Sequence, residues 1–370
     1  DVLFICVPTP LTDHNDPDTS YIEAATTAVA ERLRPGQLVV LKSTTYPGTT
    51  EDLVQPILET AAAEEGLTLG DDYFLAFSPE RIDPGNKKYT TANTPVVAGG
   101  VTDACSALTE AALKAIVSEV HMVSGPKPAE MEKLLENIFR SVNIALVNEL
   151  AQLCDRMGDV SMWEVVEAAA TKPFGFMPFY PGPGLGGHCI PVDPHYLGWL
   201  ARKYDFETSF ITLAARVNEE MPFHVVNAVV KAIAAQPVAL KEAKVLVLGV
   251  AFKRDVDDTR HSPAETVIRL LREEGIEHVA FADPHVEAFS AATKRNGTVD
   301  VPKVELSKET LQACDVAVIV TDHSRFDYER IARHAPAIVD TRNALDGVDY
   351  DPETCYLLGA PASTGNHASV

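Results

Sequence analysis

Cys189 closes a glycine-rich stretch, Gly184-Leu185-Gly186-Gly187-His188-Cys189-Ile190-Pro191-Val192-Asp193, with a carboxylate four residues on. Glycines let a backbone approach a ligand closely. A thiol held there can reach a bound substrate carbon, and Pro191 and Pro194 stiffen the far side of the loop. A lone cysteine more often reads as an inert buried hydrophobe, but this loop is too particular for that. A second group, Glu130, Lys133 and Asn137, sits at i, i+3 and i+7 and so shares one helix face. Taken alone, those three read as a solvated polar stripe rather than as a site. Lys253, Arg260 and Arg342 fall near the ends of apolar runs. Each alone reads as a surface charge, whereas three in one crevice would suit a diphosphate, which arginine can bind bidentately. Ser43-Thr44-Thr45-Tyr46-Pro47-Gly48 and Ser78-Pro79-Glu80-Arg81 also follow apolar runs. Glu80 could serve as a base, although Ser-Pro-Glu is equally a way to begin a helix.

These residues need elements to hold them. Val2 to Val7, Leu38 to Leu41, Tyr73 to Phe77 and Pro95 to Ala98 are apolar runs of strand length, and the first has the pattern of a strand buried on both faces of a parallel sheet. Helical stretches Tyr21–Leu33, Glu51–Glu65 and Ala104–Ile116 lie between them, which predicts an α/β domain. A G-x-G-x-x-G turn should open a dinucleotide-binding domain of this kind. None occurs before Val2, so an incomplete N-terminal Rossmann domain is expected over residues 1–123. From Pro126 to Gly158, Met131, Leu134, Leu135, Ile138, Val142, Ala145, Leu146, Leu150, Leu153 and Met157 recur at helical spacing on more than one face, as in a helix covered on two sides. A second long helix is predicted from Phe210 to Gln236, kinked at Pro222. Between the two lies the loop Lys172–Asp193, and loops of that length are usually functional. The central region is expected over 124–236. A second Rossmann-like α/β unit follows over 237–359, with strands at Lys244–Gly249, His278–Ala282, Val316–Val320, Ala337–Val339 and Tyr356–Leu358. Its first turn, Gly249 to Lys253, is not a dinucleotide fingerprint. Residues 360–370 are expected to be a disordered tail.

Composition narrows the function classes. The chain has 370 residues, 46% hydrophobic and 23% charged, with a net charge of −22. That balance argues against nucleic acid, which needs a basic footprint. No apolar run reaches bilayer length and no leader pattern opens the chain. The six cysteines are scattered singly, which favours neither a metal site nor a disulfide framework and suggests a reducing, cytoplasmic setting.

Together the motifs resemble the nucleotide-sugar 6-dehydrogenases, the UDP-glucose and UDP-N-acetylhexosamine dehydrogenase family. The resemblance runs to about Gly347. It rests on Val7-Pro8-Thr9-Pro10, Ser43-Thr44, Ser78-Pro79-Glu80, Glu130 through Asn137, Gly186 through Cys189 with Asp193, Phe252-Lys253 followed by Asp258-Thr259-Arg260-His261-Ser262-Pro263, and Asp340-Thr341-Arg342. It implies Cys189 as nucleophile, with Lys133 and Asn137 flanking the reacting carbon. Asp193 would orient water or Lys133, and Glu80 would be the acid/base for thioester hydrolysis. It also implies substrate contacts from Tyr180, Pro181, Gly182, Pro183, Gly184, Leu185, Gly186, Phe252, Lys253 and Arg342. NAD is the implied cofactor, met by Val7, Pro8, Thr9, Pro10, Ser43, Thr44, Thr45 and Arg260, with Thr44 also among the catalytic positions; no metal is implied. The family's long central helix implies a homodimer.

Gly-Gly-His-Cys-Ile-Pro-Val-Asp-Pro resembles the N-acetylhexosamine branch more than the UDP-glucose branch. The implied substrate is UDP-N-acetylglucosamine, for surface polysaccharide synthesis, with UDP-glucose and UDP-N-acetylmannosamine as alternatives. His188 then shapes the sugar pocket rather than acting as a base. Two other readings stay open: a non-catalytic UDP-sugar-binding or oligomerisation module, and a cysteine hydrolase using Cys189 with His188 or His195.

Overall fold

The structure, a computed structural model, describes residues 1–361 apart from 13, 15, 83–85, 87, 188–191 and 294–296. Contacts divide it into two compact units, Asp1–Phe139 with Val192–Thr212, and Arg140–Pro191 with Leu213–Val370.

The first unit contains β1 (Val2–Ile5), α1 (Ser20–Ala30), β2 (Gln37–Leu41), a π-helical turn (Thr50–Val54) running into α2 (Gln55–Glu65), β3 (Tyr73–Phe77), β4 (Val96–Gly100), α3 (Asp103–Lys114) and β5 (Val120–Met122). Its sheet follows chain order, β1-β2-β3-β4-β5. β1, β2 and β3 run parallel, but β4 is antiparallel to β3. Parallel neighbours need a crossover of a dozen or more residues, usually a helix. The described residues between Phe77 and Val96 form no helix, and the chain turns back instead. Ile5, Ile22, Val39, Leu41, Leu58, Leu75 and Phe77 make the core of this unit. β1 departs from the expected strand buried on both faces. It is an edge strand here, with Val2 42% and Phe4 39% exposed.

α4 (Pro126–Met157) has two prolines in its first turn, where a missing N–H costs nothing. It stops at Gly158, whose φ of +77° is open to glycine. The unit boundary falls within α4 and again within α7 (Ser209–Ala234), which continues through Pro222. Two helices had no clear periodic signal: α5 (Met162–Ala170), capped by Ser161, and α6 (Asp193–Ala201). Residues 171–187 form neither helix nor strand.

The second unit carries β6 (Lys244–Leu248), α8 (Pro263–Glu273), β7 (His278–Ala282), the hairpin β8 (Ser290–Ala292) and β9 (Thr298–Asp300), α9 (Lys308–Ala313), β10 (Val316–Ile319), α10 (Tyr328–His334), β11 (Ile338–Asp340) and β12 (Cys355–Leu357). The sheet order is β12-β11-β10-β6-β7, parallel throughout. The winding therefore reverses between β6 and β10, and open α/β sheets bind ligands in the crevice beyond the strand ends at such a point. The expected disordered tail starts too early at 360. Ala360 is buried, and Trp163 donates from Nε1 to the Leu358 carbonyl at 2.7 Å. Residues 362–370 lie outside the described residues.

Candidate active site

In the first unit the α4 stripe is not solvated: Glu130, Lys133 and Asn137 are all buried. Each has a task. The Glu130 carboxylate accepts from the Gly48 N–H (2.6 Å), the Thr50 N–H (2.9 Å) and the Thr50 hydroxyl (2.7 Å). Burial pushes its pKa up, and those three donors pull it back. Asn137 donates from Nδ2 to Asp193 Oδ2 at 2.5 Å. Asp193 opens α6 and is buried. Desolvation pushes its carboxyl up to about 7, against the Asn137 hydrogen bond and the Lys133 ammonium, which both lower it.

α6 also reaches the strand ends. The Tyr196 hydroxyl donates to the Thr9 carbonyl, and Thr9 Oγ1 donates to the Thr44 carbonyl at 2.8 Å. Ser43 Oγ accepts from the Val7 N–H at 2.9 Å and donates to the Val7 carbonyl at 2.8 Å. Thr45 and Thr49 share a hydroxyl contact of 2.8 Å. A closed ring of hydrogen bonds thus runs from α4 through α6 to the Val7–Pro10 loop, on to the Ser43–Thr50 loop, and back to α4. Those loops leave the carboxyl ends of adjacent parallel strands, which is where such sheets take up a dinucleotide. Thr9, Ser43, Thr45 and Thr49 spend their hydroxyls within these loops, so the loops' shape is set in advance of a ligand.

Glu80 sits apart from this ring. It is exposed, accepts from the Arg81 and Ile82 N–H groups at 2.9 and 3.0 Å, and faces Lys42 Nζ at 3.7 Å. No helix starts there. Its neighbour Arg81 was not anticipated as a site residue, yet it ties this segment to α4 by pairing with Glu132 and, at 2.7 Å, with Glu136.

In the second unit, Gly182 donates its N–H to Asn148 Oδ1 (2.9 Å), Asn148 donates to Asn218 Oδ1 (2.9 Å), and Asn218 donates to the Ser141 carbonyl (2.9 Å). This buried relay anchors the Tyr180–Gly186 segment. Pro181, Pro183 and Gly184 are buried within it, Leu185 is half-buried, and exposed Tyr180 stacks on Trp163 with centroids 5.6 Å apart. Arg342 lies against Gly182, where a Cβ would stand 2.7 Å from Nη1. Phe252 lies against Gly186 and Gly187, where Cβ atoms would come within 2.9 and 3.1 Å of its side chain. The glycines of this loop are therefore needed for close approach. Lys253 follows Phe252 directly. Arg260 is exposed and grips Asp258, with Nη2 to Oδ2 at 2.6 Å. His188 and Cys189 lie outside the described residues.

Two α/β units that each open loops at the carboxyl ends of parallel strands are the construction of a nucleotide-binding dehydrogenase. Three family models match in order: the NAD-binding domain of the UDP-glucose/GDP-mannose dehydrogenase family over residues 1–121, its central domain over 127–220, and its UDP-binding domain over 246–347. The chain belongs to that family, and it is an NAD-dependent UDP-sugar dehydrogenase.

UDP-N-acetyl-D-glucosamine 6-dehydrogenase of Pseudomonas aeruginosa is 37% identical, over 78% of this chain and 67% of its own length. UDP-N-acetyl-D-mannosamine dehydrogenase of Pyrococcus horikoshii is 38% identical, over 93% and 78%. The solved structure of the UDP-D-ManNAc dehydrogenase from Pyrococcus horikoshii superposes with a TM-score of 0.83 at 32% identity, over 98% of this chain and 81% of that one. A UDP-glucose dehydrogenase structure from Pyrobaculum islandicum gives 0.81 at 27%, over 97% and 80%. Among the described residues no helix is long and apolar enough to cross a membrane.

Proposed function

We propose that this enzyme oxidises the C6 alcohol of UDP-N-acetylglucosamine to the uronic acid, through covalent attachment to Cys189. The observation that carries the reading is the buried Lys133–Asn137–Asp193 cluster, whose aspartate follows Cys189 by four residues. NAD supplies the two-electron acceptor for each hydride that leaves C6. The chain's own residues do the rest. In this reading the Lys133 ammonium stabilises negative charge on the C6 oxygen and lowers the thiol pKa. The Cys189 thiolate adds to the aldehyde carbon, giving a thiohemiacetal that cannot diffuse away. Loss of the second hydride leaves a thioester, and water attacks it to release carboxylate and thiol. Asp193, titrating near neutrality, can take the proton of that water or hold Lys133 in place. Glu80 is the second acid/base group, with Thr44 beside the cofactor.

Val7 through Pro10, Ser43 through Thr45 and Arg260 hold NAD in this reading, while Tyr180 through Gly186, Phe252, Lys253 and Arg342 hold the UDP-sugar. The Gly-Gly-His-Cys motif and the Pseudomonas aeruginosa relative favour N-acetylglucosamine. The Pyrococcus horikoshii relative, matched over more of the chain, favours N-acetylmannosamine as the second reading. Supplying each UDP-sugar with NAD and comparing kcat/KM separates them, and two NADH per acid identify the double oxidation. Cys189→Ser is expected to abolish sugar-acid formation; undiminished acid output would sink the covalent route.

We further infer a homodimer built on α4. Met131, Leu135, Phe139, Leu146, Leu150, Leu153 and Met157 lie 37% to 63% exposed along it, at steps of three, four and seven residues that keep them on one side of the helix, as in a helix-pairing seam. A reducing cytoplasm fits the five described cysteines, all free.

A further inference from the structure

The loop Gly249–Asp255, which carries Phe252 and Lys253, is held almost wholly by groups from elsewhere in the second unit. Its start is a tight fit: Gly249 has a φ of +79°, and a Cβ there would stand 2.3 Å from the Thr321 carbonyl oxygen. Asp283 Oδ2 accepts from the Val250 and Ala251 N–H groups at 2.8 and 3.3 Å. Thr321 Oγ1 donates to the Ala251 carbonyl at 2.6 Å. His323, fully buried, accepts the Asp255 N–H on Nδ1 at 3.0 Å. That fixes its tautomer, since Nε2 must then carry the proton, and Nε2 meets Asp283 Oδ2 at 3.0 Å. The Ser324 N–H donates to Asp255 Oδ1 at 2.8 Å. His285 Nε2 and the Asp255 carboxylate come within 3.6 Å beside this network. Because His323 gives both ring nitrogens to protein groups, the cluster is a hydrogen-bond hub and not a metal centre.

The hub lies at a meaningful place. Gly249 leaves the end of β6 and Thr321 leaves the end of β10, the two strands between which the sheet reverses its winding. On one flank, then, stands the loop with Phe252 and Lys253. On the other stand Thr321 and His323, which set that loop's path.

We propose that Thr321 and His323 are positioning residues for the UDP-sugar: they hold the Phe252–Lys253 loop in its binding conformation without touching the ligand. This rests on the reading that Lys253 contacts the substrate. Asn and Gln divide the two jobs of His323. Asn sets an acceptor where Nδ1 stood and can still receive the Asp255 N–H; Gln sets a donor near Nε2 and keeps only the Asp283 contact.

The test measures UDP affinity by calorimetry, and KM and kcat for UDP-sugar and NAD, in His323→Asn, His323→Gln, Thr321→Val and Lys253→Ala. His323→Gln is expected to weaken UDP binding and raise the UDP-sugar KM about tenfold, the equivalent of one lost hydrogen bond. His323→Asn should stay within about twofold of the parent, and kcat and the NAD KM should hardly move in either. Thr321→Val, nearly isosteric, should act in the same direction and stands in if the Gln variant does not fold. If Lys253→Ala raises KM while His323→Gln and Thr321→Val leave it unchanged, the positioning role is wrong and the substrate loop stands. If Lys253→Ala also leaves it unchanged, the loop is not a substrate contact and both ideas fall. Equal loss in Asn and Gln variants, with kcat falling alongside, would mean the histidine only fills the core.

Discussion

Asp193→Asn offers the sharpest check on the cluster proposed to carry the reaction. Asp193 is buried, and its carboxyl is held up at about 7, well above the ordinary aspartate value of 3.8. An acid with a raised folded pKa keeps a proton in the fold that the unfolded chain has already released. Its contribution to stability is therefore present at low pH and is lost as pH rises from about 4 through about 7. With those two values, linkage gives a contribution on the order of 3 kcal/mol at pH 5 that has almost vanished by pH 8. Asparagine is close in shape to the neutral acid, keeps an acceptor for the Asn137 amide, and does not titrate. The stability gap between parent and variant should thus shift by about 2 to 3 kcal/mol in the variant's favour between pH 5 and pH 8. Urea unfolding can follow Trp199, which lies in the same compact unit as Asp193, in a Trp163→Phe background that silences the other unit. A gap that stays constant to within about 0.5 kcal/mol over that range would refute the raised pKa and the proton-handling role with it.

The other predictions address the scaffold. Glu130→Gln turns an acceptor of three hydrogen bonds into a group that must present a donor to the Gly48 or Thr50 N–H. It is expected to cost about 1 to 3 kcal/mol of stability and to raise the NAD KM more than the UDP-sugar KM; an unchanged NAD KM would detach the Ser43–Thr50 loop from the cofactor. Leu146→Glu puts a charge in the middle of the exposed α4 stripe. If the proposed α4 dimer holds, sedimentation should show a dimer for the parent and a monomer for the variant, and an unaltered dimer would move the interface elsewhere.

What could be read in advance follows the range of each residue's partners. α4 was legible because its signals are local: prolines at the start, a glycine at the end, and apolar residues at helical spacing between. The direction of β4 was also open to reading, since a stretch with no helical pattern between Phe77 and Val96 cannot easily return the chain for a parallel strand. The fates of Glu130 and Asn137 were not. Their shared helix face could be solvated or buried, and the groups that decide it, Thr50 and Asp193, lie 80 and 56 residues away.

Thr321 and His323 failed for the same reason, because Ala251 and Asp283 are 70 and 40 residues off. They did leave a signal. Polar residues directly after an apolar strand run, Val316 to Val320, in a doubly wound unit stand where such sheets bind ligands. Glu80 shows the converse. Its motif points to acid/base chemistry, yet the side chain is exposed, held by the neighbouring Arg81 and Ile82 N–H groups and facing Lys42, 38 residues away. Spacing along the chain can therefore nominate a side chain for chemistry. Whether the side chain is desolvated is settled by what the fold packs around it, and Asp193 is the case in point: burial lifts its carboxyl to about 7 against the lowering pull of Asn137 and Lys133.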